Sequence, residues 1–503
     1  MKDFMGCVKN ELNKEKTFTE NGAVAYRTAG SELLDFNFKL TSYRLATEQE
    51  IWDDFTNLFF STDEATVIKY IFYVGDIREG LGERKVFKTC MKWLAFNKPE
   101  TFRKVCKLIP EYSRWDILVQ LIEFADVEQE VTYIIKNQFN ADKKNMNDGK
   151  EISLLAKWLP SENASSKETR KLARKVMTNL HMSPKTYRRT LSKLRAYLDV
   201  VEVKMSDNRW NEIKYPNVPS KANLIYKDAF MKHDEFRRKN YLAMLKTGDT
   251  KINASVSLPH EVVNKYRGNY WRDVVYDETL EQIWKAIPNI VTEDTLVVRD
   301  GSGSMCAAVS PNSNIRALDV ATALAIYCSE NCTGGFKDKF ITFSSNPQLV
   351  DLRYTKTLAD KLNMVYNFAD MSNTNIYRTM KLVLTTAILN NMEQGDMPKT
   401  ILILSDMQFD CNQFNMNKTL FEQIKHEFEF AGYKLPRICF WNLCSYDAQT
   451  IPMQDNESGL ILCSGFSINN LKMFMSGEVD PLKVLLDTIN VERYEVIDKL
   501  LIN

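Results

Sequence analysis

The sequence predicts two kinds of structure in series, a mostly helical array over residues 1–290 and an α/β doubly wound domain over residues 291–503. Three observations predict this. Before Pro288, apolar residues recur at spacings of three and four, and long alternating strands are absent. After it, short apolar runs alternate with helix-length segments, the pattern of a mostly parallel sheet covered by helices. The charge divides near the same place. Residues 1–290 carry 48 Lys and Arg against 40 Asp and Glu, whereas residues 291–503 carry 18 against 25.

In the helical part, Trp52, Phe55, Leu58 and Phe59 form one apolar stripe, and Ile68, Phe72 and Tyr73 continue on the next helix. Ser183-Pro184 reads as a helix start, with Ser as N-cap and Pro in the first turn. Tyr187, Leu191, Leu194 and Leu198 then mark its buried face. Helix after helix joined by short turns suggests an α-solenoid of paired helices, although no crisp repeat is present. In the second part the expected strands are Leu296–Val298, Phe340–Phe343, Ile401–Leu404, Ile438–Trp441 and Leu460–Leu462, with helices over 317–330 and 377–391. Ligands of such sheets sit at the carboxyl ends of the strands.

The bulk numbers bound the function classes. At 503 residues the chain is long enough for two or three domains. No signal peptide and no apolar run of membrane-spanning length is read, so a cytoplasmic protein without a membrane partner is expected. The ten cysteines include no CxxC pair and no zinc-site spacing, so they are expected as buried, reduced thiols.

The chemistry concentrates where the first strand of the sheet ends. Asp300-Gly301-Ser302-Gly303-Ser304 places an acid and two hydroxyls at the sheet edge, on a loop that two glycines allow to turn tightly. The strand 401–404 ends in Ser405-Asp406, a second acid at the same edge, and Thr374 offers another hydroxyl at the start of a helix. An all-oxygen set of this kind suits a hard divalent cation, Mg²⁺, Mn²⁺ or Ca²⁺. DxSxS after a first strand, a Thr on a second loop and an Asp after a later strand resemble the metal-ion-dependent adhesion site (MIDAS) of von Willebrand factor A (vWA) domains, which are Rossmann-like. The resemblance implies Asp300, Ser302, Ser304, Thr374 and Asp406 as metal ligands, with one coordination position left for a protein partner's acidic side chain. It departs from many members at Ser372-Asn373, where they carry glycines.

Enzyme signatures are missing. Gly301-Ser302-Gly303-Ser304 is neither GxSxG nor, with Cys306 in the third position, GxGxxG, and no phosphate-binding GxxxxGK[ST] occurs. The four histidines, His181, His233, His260 and His426, form no recognisable base–nucleophile pattern. The expectation is a protein that is not an enzyme. A metal-dependent hydrolase would require turnover that depends on Asp406.

Residues 151–250 carry 21 Lys and Arg against 11 Asp and Glu. Arg170, Lys171, Arg174 and Lys175 lie on adjacent helical positions, and Lys185, Arg188, Arg189, Lys193 and Arg195 repeat the arrangement on the next helix. Two such faces can track a phosphate backbone, but they also match ordinary solvated helix faces. Asp76–Arg84, Arg114-Trp115-Asp116, Ala156–Asn163, Val218–Ala222, Lys251–Asn253 and Pro259-His260 resemble the TROVE module of Ro-type ribonucleoproteins, and more closely an uncharacterised TROVE-like family that pairs it with a C-terminal vWA domain. The resemblance implies HEAT-like repeats that can close into a ring, and binding of structured or single-stranded RNA. Two local motifs also have a plain structural reading: Asp76–Arg84 as a glycine turn with a partly buried ion network of Asp76, Arg78, Glu83 and Arg84, and Trp158-Leu159-Pro160 as packing and a helix stop.

The resulting expectation is a non-catalytic RNA-binding scaffold that carries a divalent-cation site. Its rival is a protein-interaction or assembly module, cellular or virion, that uses the metal to bind a partner carboxylate without RNA.

Overall fold

The structure, a computed structural model, describes residues 16–18, 24–26, 28–254, 257–267, 274–290, 294–310, 313–344, 346–368, 375–407, 420–444, 460–471 and 480–502. Two compact units emerge, one of Met1–Val67 with Ala254–Asn490 and one of Ile68–Asn253 with Val491–Asn503. These units are defined by compactness, and position 290 lies within the first of them. Each unit takes chain from both sides of it.

The first unit holds eight described strands: β1 (Lys16–Phe18), β2 (Val24–Tyr26), β3 (Thr295–Asp300), β4 (Lys339–Phe343), β5 (Leu349–Asp351), β6 (Thr400–Ser405), β7 (Arg437–Asn442) and β8 (Leu460–Ser464). β1 and β2 form a small antiparallel ribbon. The other six form a mixed sheet in the order β5-β4-β3-β6-β7-β8. All its pairings are parallel except β4–β5. β3 and β6 are buried along their whole length, which explains the apolar runs Leu296–Val298 and Ile401–Leu404 within them. The helix Ala317–Asn331 lies against β3, β4 and β6 and is itself buried over most of its length. The helix Glu32–Phe38 packs on β8, and the backbone N–H of Thr41 donates to Ser464 Oγ at 3.2 Å. The chain leaves β3 for β4 on one side, while β6 lies on the other. The carboxyl ends of β3 and β6 therefore flank a topological switch point, where sheets of this kind open a crevice.

The second unit is helical among the described residues. Its larger helices are Arg84–Asn97, Glu128–Asn147, Lys167–Asn179, Pro184–Leu198, Ser220–His233, Glu235–Thr247 and Glu492–Ile502. Ser183 caps Pro184–Leu198, accepting from Thr186 N–H at 3.3 Å, and Tyr187, Leu191 and Leu194 are buried beneath it. The pair Ser220–His233 and Glu235–Thr247 closes over Tyr215, Phe230, Tyr241 and Leu242. Arg238 is buried among those rings, 5.0 Å from the centroid of Tyr215, 5.3 Å from Phe230 and 5.4 Å from Tyr241. There the guanidinium gains cation–π attraction in place of water.

The C-terminal helix Glu492–Ile502 belongs to this helical unit. Asp76 is fully buried and accepts from Arg493 Nε, from Arg493 Nη2 at 2.9 Å and from Tyr494 Oη at 3.1 Å. Within the expected network of Asp76, Arg78, Glu83 and Arg84, Asp76 Oδ1 accepts from the backbone N–H of Arg78 at 2.9 Å. Asp76 pairs across more than 400 positions of sequence, and Arg78 donates to the carbonyl of Glu111. The glycines do make the turn: Gly82 has φ +70°, and a Cβ on Gly80 would lie 2.0 Å from the carbonyl oxygen of Tyr73. Among the described residues no helix is long and apolar enough to cross a membrane.

Candidate metal centre and basic helix faces

β3 delivers Asp300 to the carboxyl edge of the sheet, and β6 delivers Ser405 and Asp406 beside it, because Arg299 and Leu404 are register partners. Asp300 is 0% exposed and Asp406 1%. Each Asp300 oxygen is held: Oδ1 accepts from Ser302 N–H at 2.8 Å and Oδ2 from Ser405 Oγ at 2.5 Å. Ser302 Oγ and Ser304 Oγ lie 3.0 Å apart. The two acids and two of the three hydroxyls expected from the sequence are therefore gathered at one edge. Thr374 lies outside the described residues. Asn375, the next residue, caps the helix Ile376–Leu389, accepting from Arg378 N–H at 2.9 Å.

Ser405 was not singled out in the sequence. Its hydroxyl orients Asp300 and also accepts from Met407 N–H at 3.1 Å, while Met407 adopts φ +68° as the chain turns away. A serine directly before the second acid is a sequence trace of this role, but only the strand register shows which carboxylate it faces.

Burial, and after it the negative charge of Asp406, pushes the Asp300 carboxyl up to about 7, while the Ser405 and Ser302 hydrogen bonds pull the other way. Two buried carboxylates and flanking hydroxyls form an all-oxygen donor set, which fits a hard divalent cation and no soft one. Such an ion would offset both the burial of the two carboxylates and their mutual repulsion. Among the described residues no group of three or more His, Cys, Asp or Glu side chains could hold a metal, so this site depends on its hydroxyls.

The nine basic residues fall into two sets. Arg195 is an internal latch: it donates to the carbonyls of Ala156 at 2.9 Å and Leu159 at 2.7 Å and to Ser161 Oγ at 2.9 Å. Burial lowers the pKa of its guanidinium. Arg170 donates to the carbonyls of Ala164 and Ser165, Lys175 pairs with Glu128 at 2.6 Å, Arg188 with Glu162 at 3.0 Å and Lys171 with Glu123 at 3.9 Å. Arg174, Lys185, Arg189 and Lys193 are exposed and have no ion-pair partner among the described residues. Trp158-Leu159-Pro160 is a packed stop. Arg114 stacks 3.9 Å over the Trp158 ring, and Tyr187 Oη donates to the carbonyl of Pro160 at 2.8 Å.

Comparisons with known proteins place the chain among uncharacterised relatives. Residues 294–495 match a family model described as a domain of unknown function, DUF7788. A protein of Acanthamoeba polyphaga mimivirus, described as uncharacterized protein L728, is 29% identical over 517 residues, covering 94% of this chain and 87% of its own. The crystal structure of the Deinococcus radiodurans RO (RSR) protein aligns with a TM-score of 0.42 at 13% identity, covering 88% of this chain and 100% of that one. Residues 19–111 and 123–293, more than half of the chain, match the model described as domain of unknown function DUF2828, and the chain belongs to that family.

Proposed function

We propose that this protein is a non-catalytic binding scaffold: a divalent cation at Asp300, Ser302, Ser304, Thr374 and Asp406 captures an acidic side chain of a protein partner, and RNA is held by the helical unit. The sheet unit is then a vWA-type domain and the helical unit a HEAT-like array. The observation that carries the reading is the pair of buried carboxylates at the switch point, of which Asp300 is oriented by Ser302 and Ser405. Asp300 and Asp406 supply the negative charge that holds the ion. Ser302, Ser304 and Thr374 complete the donor set, and the ion supplies the Lewis acidity that a carboxylate recognises.

For the RNA half, the support is Arg174, Lys185, Arg189 and Lys193, exposed on the successive helices Lys167–Asn179 and Pro184–Leu198. They would contact phosphates rather than bases. Filter binding of RNA across a salt series tests this half. Affinity that falls steeply with salt supports it, and absent or salt-insensitive binding refutes it.

A second reading, an assembly module that does not bind RNA, is favoured by one observation. Five of the nine basic residues already hold intramolecular partners. Purification decides between them: co-purifying nucleic acid supports the first reading, and a stoichiometric protein partner without nucleic acid supports the second.

A further inference from the structure

Arg299, the residue before the candidate cation ligand, presents a separate problem. It lies in the middle of the sheet, on β3 between Thr342 of β4 and Leu404 of β6, and is 3% exposed. Its Nε and Nη1 have no hydrogen-bond partner among the described residues. Nearby, Tyr366 at the end of the helix Leu358–Tyr366 has a buried hydroxyl that is also unpartnered among the described residues. Tyr366 is an electrostatic neighbour of Arg299, Arg316, Arg267 and Asp319, and Arg299 of Tyr366 and Asp300.

The acceptors close by are already used. Asp319 takes Arg267 Nη1 at 2.8 Å and Arg316 at 3.1 Å from Nε and 2.6 Å from Nη2. Asp300, the other neighbouring acid, is occupied by Ser302 and Ser405. Arg267 and Arg316 thus share Asp319, and Arg299 has Asp300 as its acidic neighbour, next to the start of the 15-residue helix Ala317–Asn331, whose N-terminal end adds partial positive charge. A buried guanidinium with idle N–H groups is among the costliest arrangements a fold can keep, and native structures fill such positions with an ion or ordered water.

The donors select the ligand. Guanidinium N–H groups are planar and directional and match the oxygens of an oxyanion better than a spherical halide. A phenol hydroxyl adds one neutral donor. The depth selects further: an internal phosphodiester carries chain on both sides and cannot bring its oxygens to a residue this buried, whereas a terminal phosphate can.

We propose that Arg299 and Tyr366 bind a phosphate group, free or as the terminal phosphate of a monoester, at a site to which Arg267, Arg316 and the start of the helix Ala317–Asn331 add positive charge. The site shares no ligand with the cation centre and is separate from the basic helices.

The test uses the full chain in EDTA at constant ionic strength, which removes any cation-bridged phosphate. Thermal melting and calorimetry are run with inorganic phosphate, with a nucleoside 5′-monophosphate and with chloride. Phosphate should raise the melting temperature saturably, and chloride should not. Arg299→Met should weaken phosphate binding at least tenfold, and Tyr366→Phe several-fold with unchanged melting in phosphate-free buffer. A monophosphate that binds as well as phosphate identifies the ester end as ligand, while binding of phosphate alone identifies the free ion. No saturable response in the wild type, an equal response to chloride, or an undiminished response in Arg299→Met overturns the proposal. If Arg299→Met does not fold, Tyr366→Phe decides: an unchanged affinity overturns it.

Discussion

Replacing Asp300 with asparagine removes one of two buried negative charges at nearly constant volume. In the folded chain the Asp300 carboxyl sits at about 7 instead of 3.8, first through burial and then through Asp406. The folded state therefore binds this proton more tightly than the unfolded chain does. The contribution of Asp300 to stability is fully present below about pH 4 and is lost as pH rises through about 7. A shift of about three units corresponds to about 4 kcal/mol, an upper limit because a cavity open to water would relax part of it. Asp300→Asn is neutral at every pH and can still accept from Ser302 N–H. In EDTA it should be more stable than the wild type at about pH 8, by up to about 4 kcal/mol, and no more stable at about pH 4. With millimolar Mg²⁺ at about pH 8 the gap should narrow or reverse, because only the wild type gains binding energy from the ion. Thermal melting under these conditions reads each sign. An Asn variant destabilised equally at both pH values in EDTA would refute the like-charge reasoning, and an equal Mg²⁺ shift in both proteins would refute the assignment of Asp300 to the ion.

Three other outcomes follow from the same structure. Changing Arg174, Lys185, Arg189 and Lys193 together to alanine should weaken RNA binding uniformly across sequences and flatten the salt dependence by roughly 3 in log–log slope for single-stranded RNA; an unchanged slope places RNA elsewhere. Gly80→Ala brings a Cβ to 2.0 Å from the Tyr73 carbonyl and 2.8 Å from Asp76 Cβ. It should cost about 3 kcal/mol or more in chemical denaturation, and a cost under about 1 kcal/mol would contradict the close approach. Asp76→Ala leaves Arg493 and Tyr494 without their shared acceptor and should cost about 3–5 kcal/mol, with protection of the helix Glu492–Ile502 lost first in hydrogen exchange.

Much of the sheet was legible because its strands are buried on both faces and so read as plain apolar runs. β3, β4, β6, β7 and β8 lie where Leu296, Phe340, Ile401, Ile438 and Leu460 placed them. β5 was not legible: it is three residues long, antiparallel at the edge, with Leu349 exposed and no apolar run to mark it. The placement of both chain ends was also hidden. The contacts that assign Glu32–Phe38 and Glu492–Ile502, Thr41 with Ser464 and Arg493 with Asp76, span hundreds of residues. At the candidate site, residue types and strand ends located the two acids and two serines. The part played by Ser405 depends on register, and the unpartnered Arg299 sits in what reads as an unremarkable charged residue at a strand end. In the basic helices, sequence gave each residue's position on the helix, but not that Arg195 would turn inward to the Ala156 and Leu159 carbonyls.

The most direct measurement is the stoichiometry of Mn²⁺ binding, followed by electron paramagnetic resonance on the full chain. One Mn²⁺ per chain, displaced by Mg²⁺ and lost in both Asp300→Asn and Asp406→Asn, is the expected result. Binding that survives both substitutions, or no specific binding in the wild type, would contradict a cation centre at the carboxyl edge of β3 and β6.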